Sequence, residues 1–78
     1  MREKSIKQVI TFQLTADAMR FESVCKKRNA PGRIIPVPRE ISAGCGMAWC
    51  AGTDDREQLV NLIEEEKIEI QEIHTCLL

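Results

Sequence analysis

The chain has 78 residues, 44% of them hydrophobic, with 11 Lys and Arg against 12 Asp and Glu. That is room for one domain, residues 1–78, with a modest core, and the near-even charge excludes the basic face of a nucleic-acid binder. No apolar run nears the roughly 20 residues that span a bilayer, and the charged start "MREKSIKQ" lacks the apolar centre of a signal peptide. A cytoplasmic protein without membrane or nucleic-acid partners is expected. There its four cysteines, Cys25, Cys45, Cys50 and Cys76, stay mostly as free thiols.

Residues 6–14, "IKQVITFQL", alternate with a period of two. Ile6, Ile10, Phe12 and Leu14 share one parity, which predicts a half-buried strand. Thr15 then caps a helix over "ADAMRFESVCKKRN". Ala18, Met19, Phe21, Glu22 and Cys25 fall near one another in projection, with Glu22 interrupting the apolar stripe. Lys26, Lys27 and Arg28 suit the negative end of the helix dipole. Pro31 stops the helix and Gly32 permits positive φ.

"RIIPVP" predicts an edge strand, because Pro36 and Pro38 cannot donate to a ladder. "REISAGCG" turns the chain and "MAWCA" forms a short strand. "GTDDREQLVNLIEEEK" predicts a second helix, with Asp54 and Glu57 as a capping box and Leu59, Leu62 and Ile63 as its buried stripe. "IEIQEIHTC" closes as a strand. Ile68 and Ile70 alternate there, and Ile73 falls out of phase, which implies a bulge.

The order strand, helix, strand, strand, helix, strand predicts an α+β fold. It is the ferredoxin-like βαββαβ two-layer sandwich, a four-stranded antiparallel sheet with two helices on one face. Its strand order, 4-1-3-2, puts the proline-bearing second strand at an edge.

This topology brings the end of the first strand beside the start of the third. Cys45 should therefore lie near Thr15, where free N–H groups and the helix dipole favour an anion. A cysteine at such a place is a candidate reactive thiolate. Arg39 adds positive charge, and Glu40 opposes it unless it pairs with Arg39 or points away. Gly44 and Gly46 remove bulk on both sides of the sulfur and allow unusual backbone angles. A tight hairpin turn that happens to hold a cysteine accounts for the same residues.

"PVPREISAGCG" followed by "MAW" resembles the signature of small bacterial selenium/sulfur carrier-like domains. "TFQLTADAMRFE" resembles the same family's passage from first strand to first helix. The resemblance implies that Cys45 carries sulfur or selenium as a persulfide or selenopersulfide. Arg39, Ser42 and Gly46 are the matching surroundings. It also implies sulfur or selenium donor and acceptor proteins as partners, no cofactor, and a carrier rather than an enzyme. Asp17 departs from the family's small hydroxyl residues and brings negative charge toward the thiol.

Two other readings stay open. One is a non-catalytic interaction or regulatory domain; the other is a small redox protein cycling Cys45 with Cys50. Five residues in one strand place these two thiols on opposite faces, which opposes an easy bridge. Met47 and Trp49 are expected in the core, Cys25 on the buried side of the first helix, and Cys76 in a frayed tail. His74 and Cys76 with Cys45 and Cys50 lack the close Cys pair of a zinc site, and the topology sets them apart, so no metal is expected. Glu64, Glu65 and Glu66 read as a solvated face. Free strand edges leave room for a homodimer.

Overall fold

The computed structural model describes residues 6–41 and 44–77. In chain order these form β1 (Ile6–Thr11), α1 (Thr15–Lys27), β2 (Arg33–Pro36), β3 (Met47–Gly52), a 3-10 turn over Thr53–Asp55, α2 (Arg56–Glu66) and β4 (Glu72–Leu77). One antiparallel sheet takes the order β2-β3-β1-β4. This is the ferredoxin-like α+β sandwich, with β2 at an edge as its prolines require. Among the described residues, no helix is long and apolar enough to cross a membrane.

The register sorts the side chains. Ile10 faces Trp49 on one neighbour and Ile73 on the other, so these three share one side of the sheet. The helices cover that side with Ala18, Phe21, Cys25, Leu59 and Leu62. The aromatic centre is Phe21, whose ring centroid lies 5.4 Å from Phe12 and 5.4 Å edge-on from Trp49. Burying each ring contributes roughly 1.5–3 kcal/mol. Trp49 satisfies its indole by donating to the Pro31 carbonyl at 3.0 Å. That contact explains Gly32, which turns at φ 112 directly against the indole.

The other side of the sheet carries Val9, Thr11, Ala48 and Cys50. Among the described residues no helix packs there, yet Val9, Thr11 and Ala48 are fully buried. Glu40, in the segment that follows β2, has a charge that acts on Cys76 of β4.

Local signals set several boundaries differently from the sequence expectation. Strand β1 stops at Thr11, and Phe12 continues into the core without ladder pairing. Thr15 is the first residue of α1 rather than its cap; Leu14 holds that place with no side-chain hydrogen bond, its carbonyl accepting from Asp17 and Ala18. The helix buries Ala18, Phe21 and Cys25, spaced by three and four, which rotates Met19 out to solvent. The Asp54–Glu57 capping box does not form, because Thr53–Asp55 coils into the 3-10 turn and Asp55 precedes α2 without a side-chain cap.

Strand β4 begins at Glu72, not at Ile68. Ile68 and Ile70 pack on the core from an extended lead-in, so Ile73 pairs with Ile10 in phase and needs no bulge. Cys76 sits within β4 rather than in a frayed tail. Of the acidic run, Glu65 and Glu66 bind Arg28, and the Glu66 carbonyl accepts from Arg20, so the run joins α2 to α1.

Candidate functional site

Cys45 arrives where the topology predicts. Its backbone N–H donates to the Phe12 carbonyl at 3.1 Å, just past the end of β1 and three residues before α1. Gly44 N–H donates to Gln71 Oε1 at 3.0 Å, and Gln71 N–H donates to the Thr11 carbonyl at 2.7 Å. On the outer side Val37 N–H donates to the Gly46 carbonyl at 3.1 Å. The turn is thus fastened to β1, to the lead-in of β4, and to the end of β2.

The sulfur itself is not open. Cys45 is 8% exposed and belongs to the helix-side core with Phe12 and Trp49. Its S–H donates to the Met47 carbonyl at 3.3 Å. The candidate reactive thiolate is thus a buried thiol at rest: the turn folds its cysteine inward, where a small apolar side chain gains from burial in the core.

The two flanking glycines serve different ends. A Cβ on Gly44 would stand 2.6 Å from the Gln13 carbonyl oxygen and 2.7 Å from its Cα, so that position is a close backbone crossing. A Cβ on Gly46 would meet nothing within 4 Å. Gly46 is not among the described residues with positive φ.

The other candidates gather less closely. Thr15 is exposed at the first position of α1. Arg39 is exposed in the turn closed by Ile41 N–H on the Pro38 carbonyl. Among the described residues neither hydrogen-bonds to Cys45, and Arg39 does not pair with Glu40. Ser42 lies outside the described residues. A cavity of about 370 Å³ opens beside Gly44, lined by Gln13, Leu14, Asp17, Glu69, Ile70 and Gln71. Its charged residues, Asp17 and Glu69, are both acidic, so the expected cationic surroundings are not found on this side.

Gln71 is the residue that sequence reasoning missed. It ties the cysteine turn to β4, and its place could not be read while β4 was taken to start at Ile68.

The remaining thiols are set apart. Cys25 is fully buried in α1, and burial pushes its thiol up to about 11, with Arg28 pulling slightly the other way. Cys76 is half-buried; burial first, then the charges of Glu40 and Cys50, raise it above the ordinary thiol value. All four cysteines are free thiols. Cys50 pairs with Val9 and Arg33 on the back of the sheet, opposite Cys45. Among the described residues, no three His, Cys, Asp or Glu side chains gather as a metal-ligand set. His74 instead lies 3.0 Å from Glu72 on its own strand.

No curated protein and no solved structure matches the chain. A family model described as "Putative Se/S carrier protein-like" does match, over residues 7–75, from β1 into β4. That span includes the whole cysteine turn and both helices, and the chain therefore belongs to the Se/S carrier protein-like family.

Proposed function

We propose that this domain is a sulfur or selenium carrier and that Cys45 is its acceptor atom, loaded as a persulfide or selenopersulfide. The family match across residues 7–75 carries this reading. The seat of Cys45 supports it. The turn joins three parts of the fold through single hydrogen bonds, and the outer side at Gly46 is open. Loading requires the turn to swing outward, because the sulfur is buried at rest. A donor's terminal sulfur then passes to the Cys45 thiolate, and an acceptor thiolate later removes it. Burial between these events protects the bound atom from water and stray thiols. Arg39 and the backbone at Gly44 and Gly46 serve the opened turn, with Ser42 and Thr15 at its margins. Donor and acceptor are proteins, and the site of action is the cytoplasm.

The test is intact-protein mass spectrometry after incubation with a cysteine desulfurase and cysteine, or with a selenocysteine lyase and selenocysteine, each of which delivers the zero-valent atom and leaves alanine. A gain of one sulfur or selenium atom, lost in Cys45→Ala, is the expected result. Loading that persists in Cys45→Ala would overturn the assignment.

The burial of Cys45 favours a second reading, an interaction domain in which this cysteine is a core residue. In that case Cys45→Ala keeps partner binding and biological activity intact.

A further inference from the structure

The back of the sheet holds a second thiol in a different setting. Cys50, itself only 9% exposed, is one of the residues lining a notch of about 300 Å³, with Lys7, Gly32, Arg33, Ala51 and Gly52. The register explains the shape. Lys7 faces Gly52 across β1 and β3, and Arg33 faces Cys50 across β2 and β3. Gly52 contributes no side chain to its corner, and β2 begins only at Arg33. The result is a hollow whose lining brings together one cysteine and two cationic residues.

The two cations are unspent. Arg28 and Lys26 pair with carboxylates, and Arg20 binds a helix-end carbonyl. Lys7 and Arg33 form no ion pair among the described residues. No carboxylate lines the notch. Asp55 stands near its Gly52 corner, its Oδ2 3.3 Å from where a Gly52 Cβ would stand, and the Glu40 charge reaches Cys76, the cross-strand partner of Lys7. Two cations around a small hollow suit a compact dianion, and a cysteine in its lining suits one with a transferable sulfur.

We propose that this notch is a second sulfur-acceptor site, in which Lys7 and Arg33 hold the oxyanion end of thiosulfate while Cys50 takes its outer sulfur. The Cys50 thiol, buried at rest, turns into the notch as β2 loosens at Arg33 and gives its proton to water. Its thiolate attacks the outer sulfur, forming the Cys50 persulfide bond. The sulfur–sulfur bond of thiosulfate breaks and sulfite leaves with the electron pair. No external oxidant or reductant is required. The site is independent of Cys45, which lies on the other side of the sheet.

The experiment incubates the full chain with thiosulfate, measures sulfite released, traps persulfide by alkylation and maps it by peptide mass. One sulfite per chain and a persulfide on Cys50 are expected. Cys45→Ser should leave both unchanged, and Cys50→Ala should remove both. Lys7→Gln with Arg33→Gln, both away from the core, should lower the rate roughly tenfold or more, and Asp55→Asn should raise it. Absence of sulfite, a persulfide on Cys45 or Cys76 instead, or a rate indifferent to the paired Lys7 and Arg33 change would overturn the proposal. Loading of Cys45 by a desulfurase is read separately, so either site can fail without the other.

Discussion

The amide of Cys45 and the carbonyl of Phe12 are joined at 3.1 Å, which fixes the candidate carrier thiol to the segment that feeds α1. The Cys45 sulfur is inside the core, 8% exposed. Exposure of Cys45 is therefore an opening event.

Alkylation of Cys45 should report that opening. In the folded protein its rate with iodoacetamide is expected at least roughly tenfold below the rate in strong urea, and it should rise with urea before global unfolding. Timed labelling with peptide mapping measures this. Equal rates in folded and unfolded protein would mean the thiol is accessible with no movement of the turn.

The glycines around Cys45 should differ in their tolerance of a methyl group. Gly44→Ala drives a Cβ into the Gln13 backbone and is expected to cost about 1–3 kcal/mol. Gly46→Ala meets open space and should change stability by less than about 0.5 kcal/mol. Urea unfolding of the two variants checks the order, and a more damaging Gly46→Ala would contradict the packing described.

Gly32→Ala combines a left-handed φ of 112 with a collision at the Trp49 indole nitrogen. The expected loss is roughly 3 kcal/mol, accompanied by a shift of Trp49 fluorescence as its bond to the Pro31 carbonyl is disturbed. A native spectrum and native stability would disprove the role given to this turn.

Cys25 should make stability fall in alkali. Its folded pKa is raised from 9.0 to about 11, so between those values the folded state keeps a proton that the unfolded state releases. The contribution is complete below about pH 9 and is lost as pH climbs toward 11. Thermal melts across that range should decline, and Cys25→Ala should flatten the decline. An unchanged slope in the variant would assign the loss to other groups.

Glu40→Gln should lower the pH at which Cys76 becomes reactive, since the Glu40 charge helps hold that thiol protonated. The midpoint of Cys76 alkylation against pH gives the answer, and an unmoved midpoint would place Glu40 away from β4.

Much of the fold was legible because its signals are periodic. Alternation in β1, the prolines of β2 and the Leu59–Leu62 stripe each name an element, and together they determine the order of the sheet. The helix starts were less legible, since Leu14 and Asp55 occupy the cap positions without using side chains. The segment before β4 misled because Ile68 and Ile70 alternate as a strand would, while buried against the core from outside the ladder. For the site, sequence placed Cys45 at the meeting of β1, β3 and α1. It could not give the direction of the sulfur, which depends on how the turn packs against Phe12 and Trp49. Nor could it show that Lys7 and Arg33 meet around Cys50, because three separate strands supply them.

The Cys45 amide on the Phe12 carbonyl and the Gly44 amide on Gln71 tie one short turn both to the chain that feeds α1 and to the chain that feeds β4. Drawing that sulfur out therefore loosens two neighbours together, so the ease of uncovering it is set by the seams on either side as much as by the turn.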